Sequence, residues 1–251
     1  MDSDRLYLDE VFLSLQGEGL EVGRPQLFLR LGGCPLRCSY CDTPRSWNRR
    51  AQYEVHLSGN TLLRENPVEC PQLQLLLEEL LAEHRLTAQD VMLSITGGEP
   101  LEQASFLKAW LPTWQGAVLL ETAGVQAQAL NSLLPEIDLL SLDWKLSSTL
   151  REGQDLLQTE ACLEAAAAQK VRTQVKLVLT QEQTDAEIGL ALQAIAKHLP
   201  KTVVFLQPVT PFGKGPLPPS AEQLLDWSLQ HRALPLDLRV LPQIHPLLGI
   251  R

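Results

Sequence analysis

Cys34, Cys38 and Cys41 fall within one short run, Cys34-Pro35-Leu36-Arg37-Cys38-Ser39-Tyr40-Cys41, with no fourth cysteine in the cluster. A structural zinc site wants a closed tetrahedral set of four ligands, and a cubane iron–sulfur cluster is ordinarily held by four thiolates. Three thiolates leave one metal position open, and on a redox cluster an open position is where chemistry occurs. The competing reading is a zinc-binding interaction module completed by His56 or Cys70. Zinc ligands usually come in close pairs, however, and neither residue has a near mate. A second group of interest is Thr96-Gly97-Gly98-Glu99-Pro100, a glycine-rich turn with proline near a helix start. Two adjacent glycines let the backbone approach a ligand closely.

These residues need a scaffold, and the apolar pattern predicts one of alternating strands and helices. Strands are expected at 6–15, 26–31, 91–95, 117–120, 137–142, 172–179, 202–206 and 236–240. Helices are expected at 70–85, 101–114, 125–134, 154–170, 186–198 and 221–231. Leu73, Leu76, Leu77, Leu80 and Leu81 recur as one helical face, and Ser220 suits an N-cap. Residues 45–69 are polar and read as an irregular insertion with a turn signal at Gly59-Asn60. Residues 208–219, with five prolines and two glycines, read as a loop. Strands separated by helices imply a mostly parallel sheet, whose chemistry lies at the C-terminal ends of its strands. The cysteine loop, the Gly-Gly-Glu-Pro loop, Glu121, Asp143-Trp144-Lys145 and Gln207-Pro208 all fall there.

Composition narrows the function classes. A net charge of −9 argues against a polyanion-binding surface, so nucleic acid is not an expected partner. No apolar run approaches the roughly 18 residues of a membrane span, and the N-terminus shows no signal-peptide pattern. Five cysteines, three of them crowded together, argue against a disulfide framework and for a reducing cytoplasm.

The cysteine run, with Tyr40 before its last cysteine, and the Gly-Gly-Glu-Pro loop resemble the two motifs of the radical S-adenosylmethionine superfamily. Three further matches are Ser14-Leu15-Gln16-Gly17-Glu18-Gly19, Phe28-Leu29-Arg30 with Cys41-Asp42-Thr43, and Leu241-Pro242-Gln243-Ile244-His245. With these the chain resembles the 7-carboxy-7-deazaguanine synthase family over nearly its whole length. A glycyl-radical-enzyme activase shares the cysteine spacing but not these flanks.

The resemblance implies one radical S-adenosylmethionine domain over 1–251, an α/β fold built as a partial or distorted (β/α) barrel with mostly parallel strands. It implies a lyase that contracts the ring of 6-carboxy-5,6,7,8-tetrahydropterin to 7-carboxy-7-deazaguanine with loss of ammonia, a step towards queuosine. Its cofactors would be a [4Fe–4S] cluster, S-adenosylmethionine and Mg2+. Its partners would be a low-potential electron donor such as flavodoxin or ferredoxin and a second copy in a homodimer. By the same resemblance Cys34, Cys38 and Cys41 hold the cluster and Thr43 contacts Mg2+. Leu15, Gln16, Gly17, Arg30, Thr96 and His245 meet the substrate, and Arg251 would add its main-chain carboxylate. Tyr40, Cys41, Asp42, Gly97, Gly98, Glu99, Glu121, Lys145, Gln207, Pro208, Val209 and Thr210 surround the cofactor. Asp143 and Trp144 are expected there too, although the family usually has Ser-Pro-Lys where this chain has Asp143-Trp144-Lys145. Arg30 carries a planar fork suited to a carboxylate. No side chain is expected to act as acid or base.

Overall fold

A computed structural model describes residues 4–57, 59–150, 158–211, 213 and 215–250. In chain order the strands are β1 (Leu8–Leu15), β2 (Pro25–Leu31), β3 (Gln52–Leu57) and β4 (Asn60–Glu65), followed by helix α1 (Cys70–Glu83). Then come β5 (Met92–Gly97), α2 (Ala104–Trp110), β6 (Val118–Thr122), α3 (Ala127–Leu133) and β7 (Leu139–Asp143). The chain continues with α4 (Thr159–Gln169), β8 (Thr173–Leu179), α5 (Asp185–His198), β9 (Val203–Pro208), α6 (Ala221–Gln230), β10 (Asp237–Val240) and α7 (His245–Leu248).

All ten strands join one sheet in the order β10-β9-β8-β7-β6-β5-β2-β1-β3-β4. From β2 and β5 through to β10 the pairings are parallel; β1 with β2 and β3 with β4 are antiparallel. The sheet is not closed, since β4 and β10 are its edges, which fits the expected partial barrel. Among the described residues no helix is long and apolar enough to cross a membrane.

The strands alternate with a period of two, and the alternation separates core from cavity. Leu27, Leu29 and Leu31, then Leu93 and Ile95, Leu140 and Leu142, Val175, Leu177 and Leu179, and Val204 and Leu206 are fully buried in the core. Their neighbours on the same strands, Phe28 and Arg30, Thr96, Asp143, Lys176 and Val178, and Gln207, line a single cavity. Below them the inward face is polar and largely paired: Gln26 accepts from Gln16 at 3.0 Å, and Gln174 donates to Ser141 at 2.9 Å while accepting from the Leu20 amide at 2.7 Å, whereas the buried Ser94 hydroxyl has no partner among the described residues. Buried polar groups are tolerable when paired in this way.

The helices begin where local chemistry says they should. Ser220 and Gln223 form a reciprocal capping box on α6, and Glu69 and Gln72 form another on α1. Acidic Asp185 and Glu187 open α5 while Lys197 and His198 close it, complementing the helix dipole.

Residues 45–69 differ from expectation. They are not irregular: β3 and β4 form a hairpin that extends the sheet beyond β1, with Gly59 at φ +87° in its turn. The sequence hid this because every β4 residue is exposed, so the segment lacks the apolar stripe that marks a strand. Of the predicted helix at 154–170, residues 154–157 lie outside the described residues. The last segment carries α7, a short helix not expected from sequence.

Candidate active site

The three cysteines sit on the loop leaving β2, and backbone bonds fix that loop from several sides. The Cys34 amide donates to the Trp47 carbonyl at 3.1 Å, and the Ser39 amide to the Thr149 carbonyl at 2.8 Å. Arg37 donates to the carbonyls of Cys34 and Leu36, both at 2.7 Å, and lies over the Trp47 ring. Cys34, Cys38 and Cys41 all line the cavity and are half-buried. Burial pushes the Cys34 thiol up to about 12 and raises that of Cys38 as well, so without metal these thiols keep their protons. Cys70 and His56 do not line this cavity. His56 instead meets Glu10 at 3.2 Å and Thr61 at 3.0 Å, so neither fourth ligand that the zinc reading named lies at the three cysteines.

The Gly97-Gly98-Glu99-Pro100 loop is stitched to the cysteine loop. The Gly98 amide donates to the Leu31 carbonyl and the Glu99 amide to the Gly33 carbonyl, each at 2.8 Å. The approach is close enough to require both glycines. A β-carbon on Gly98 would lie 2.1 Å from the Gly33 oxygen, and one on Gly97, at φ +113°, would lie 2.3 Å from the Leu31 nitrogen. The buried Glu99 carboxylate accepts from Leu101 N, Thr122 Oγ1 and Ala123 N at 3.0, 2.5 and 2.9 Å. Burial raises its pKa, opposed by those three bonds. The side chain anchors the loop to the end of β6.

Across the cavity lies a compact group of charges. Lys145 Nζ is 2.6 Å from Asp143 Oδ2. Lys176, register partner of Asp143 on β8, donates to Glu18 and Glu121 and lies 3.4 Å from the same Asp143 oxygen. Burial alone would lower the pKa of both lysines. For Lys145 the largest opposing charge is Asp143; for Lys176 it is Asp143, then Glu121 and Glu18. These hold both lysines well above the ordinary value. On the third side Phe12 stacks on Phe28, ring centroids 4.9 Å apart, and Arg30 stands over Phe12 while Glu10 takes its Nε at 2.7 Å.

The cavity gathers Leu15, Gln16, Gly17, Arg30, Thr96 and His245. It also gathers Tyr40, Asp42, Thr43, the Gly97–Glu99 loop, Glu121, Asp143, Lys145, Gln207, Val209 and Thr210. Two expected residues lie elsewhere. Trp144 packs on the core, its amide donating to the Lys176 carbonyl at 2.8 Å, and Pro208 follows inward-facing Gln207 and so falls on the other face of β9. Arg251 lies outside the described residues. Sequence reasoning missed Glu18, Lys176 and Gln243 as cavity residues; the period-two pattern of Gln174, Lys176 and Val178 on β8 was the available signal for Lys176.

Residues 15–140 match the family described as a 4Fe-4S single cluster domain. The chain is 33% identical over 248 residues to a 7-carboxy-7-deazaguanine synthase of Geobacter sulfurreducens, covering 96% of each chain. The chain belongs to the 7-carboxy-7-deazaguanine synthase family. A synthase of the same name from Methanopyrus kandleri is 35% identical over 245 residues, 95% of this chain and 91% of that one. Among solved structures, QueE from Escherichia coli superposes with a TM-score of 0.60 over 94% of each chain at 20% identity, which speaks for the fold. Membership of the 7-carboxy-7-deazaguanine synthase family sets aside the activase and zinc-module readings.

The residues present suit the family's cofactors. Three thiols without a fourth offer a cluster one open iron. Asp143 Oδ1 and Gln207 Oε1 are buried cavity acceptors without a partner among the described residues. A ligand carrying an ammonium and ribose hydroxyls would supply the donors they lack.

Proposed function

We propose that this cavity contracts 6-carboxy-5,6,7,8-tetrahydropterin to 7-carboxy-7-deazaguanine with loss of ammonia. The carrying observation is convergence. The cysteine loop, the Gly-Gly-Glu-Pro loop and the Gln16, Arg30 and His245 groups, scattered from one end of the chain to the other, line one cavity. Cys34, Cys38 and Cys41 hold the [4Fe–4S] cluster. Tyr40, Asp42, Gly97, Gly98, Lys145, Gln207, Val209 and Thr210 surround S-adenosylmethionine, and Thr43 offers Mg2+ a hydroxyl oxygen, a ligand type that ion accepts. When bound, cluster and cofactor supply the one-electron chemistry that starts the reaction.

The protein's own residues bind and orient. The stacked Phe12–Phe28 wall suits a flat heterocycle. Arg30, its Nε fixed by Glu10, presents a guanidinium to the substrate carboxylate. Glu121, expected around the cofactor, accepts from Thr96 at 3.1 Å and is tied through Lys176 to Glu18, which supports a place beside the pterin. The family resemblance supports a homodimer and an electron donor such as flavodoxin or ferredoxin, and the three free cavity thiols support a reducing cytoplasm.

The test is anaerobic reconstitution of the cluster, followed by reductant, S-adenosylmethionine, Mg2+ and the carboxypterin. Mass spectrometry should show the deazapurine with one equivalent of ammonia. Cluster-loaded protein that consumes no pterin overturns the assignment. Sedimentation velocity reads the oligomeric state.

A further inference from the structure

We infer that Lys176 is a positioning residue for the substrate: its ammonium locks Glu18 and Glu121 into one rigid acidic pair that receives the N–H-bearing edge of the pterin. The inference rests on the function proposed above. Lys176 points inward from β8 with a side chain 6% exposed, and it donates to Glu18 Oε2 and Glu121 Oε1. The second oxygen of each carboxylate is also taken. Glu18 Oε1 accepts from Gln243 Nε2 at 2.6 Å, and Glu121 Oε2 accepts from Thr96 Oγ1 at 3.1 Å. Each carboxylate is thus gripped at both oxygens by different parts of the chain. Glutamate side chains have several rotatable bonds, and freezing them before the ligand arrives removes an ordering cost from binding.

The charges of this group do not cancel. Glu18, Glu121 and Asp143 face Lys176 and Lys145, which leaves one net negative charge. Asp143 supplies that surplus; without its carboxylate, two glutamates and two lysines would balance. An anionic surplus favours a neutral ligand edge rich in donors, and the aminopyrimidinone edge of a pterin is one. Lys176 itself is spent on the carboxylates and acts through them.

The experiment uses cluster-loaded enzyme whose wild-type turnover has first been verified, so a failure of the function itself is seen before any variant is read. For Lys176→Met the KM for the carboxypterin should rise about tenfold or more, because the carboxylates lose their shared partner. The KM for S-adenosylmethionine and the iron content should stay within about twofold of wild type. Adding Glu121→Gln to Lys176→Met should cost little further in kcat/KM, since two residues acting as one unit are non-additive. A rise in both KM values together, a loss of iron, or multiplicative effects in the double variant would overturn the inference. Should Lys176→Met fail to fold, Lys176→Gln carries the same readouts.

Discussion

His245 is packed against Gly17 so tightly that a β-carbon on Gly17 would lie 2.2 Å from the imidazole Nδ1. The neighbouring Ile244 amide donates to the Gly17 carbonyl at 3.0 Å, and Gln243 reaches Glu18. Residues 243–245 are therefore docked on the loop after β1, and segments from early and late in the sequence meet at the cavity. Gly17→Ala forces the two apart. It should raise the KM for the pterin and expose the C-terminal segment to protease while leaving iron content unchanged. A variant with wild-type kinetics and protease resistance would contradict this docking.

The cysteines divide cleanly. Replacing Cys34, Cys38 or Cys41 with alanine should abolish turnover and sharply reduce bound iron after reconstitution. Cys70→Ser, at the first position of α1 and away from the cavity, should retain both. Iron analysis and the brown cluster absorbance check each variant. Loss of metal in Cys70→Ser would revive a four-ligand site.

Asp143 offers a test with a pH signature. Burial alone would raise its pKa, but Lys145 and then Lys176 outweigh burial and hold the carboxyl below its ordinary 3.8. A carboxyl with a lower pKa in the folded chain adds stability above the unfolded value, and loses it as pH falls through the folded one. Asp143→Asn also strands buried ammonium charge, worth about 3 kcal/mol. The variant should melt lower at neutral pH, and its gap to wild type should narrow once pH falls below 3.8. Thermal melts across acid pH decide; a constant gap would count against the coupling.

Arg45 closes a second network. It meets Asp9 at 2.9 Å, Glu10 at 2.6 Å and Glu54 at 3.1 Å, and so sets its own positive charge against two members of the Glu10, Glu54 and His56 group. Asp9 and Glu10 are buried. Arg45→Ala should lower stability by about 2 kcal/mol, less than a fully buried pair would cost, because a third of the Arg45 side chain is exposed and Arg30, Ser46 and Arg50 still meet the carboxylates. Denaturant unfolding measures it, and a change near zero would show these carboxylates to be solvated.

Thr43 lines the cavity beside Asp42, and its carbonyl already accepts from the Ser46 amide at 2.9 Å. Thr43→Ala should shift the Mg2+ concentration for half-maximal activity upward without changing iron content. An unaltered Mg2+ titration would remove Thr43 from the metal site.

Much of this was legible in residue order. Local signals wrote the strand–helix rhythm, the Ser220 cap of α6, and the three-thiolate loop. Each depends on a few neighbouring residues: a period of two or 3.6, an N-cap, a cysteine spacing. The β3–β4 hairpin escaped because its exposed strand buries no stripe. Trp144 and Pro208 fall outside the cavity lining because strand alternation turns only one of two consecutive residues inward.

What the sequence alone determined is the set of groups available: three thiols, two glycines, an arginine, and acids and lysines on alternating strands. What the tertiary structure decided is which of them meet. Glu18 and Lys176 are 158 positions apart, and nothing local relates them. They touch because β8 lies beside β7, Lys176 falls opposite Asp143 in register, and the loop after β1 folds over the strand ends. Strand order and register are set by burying one apolar face of the whole sheet, a condition on the entire chain at once. That is why the charge group at the heart of the cavity could be read only from the folded molecule.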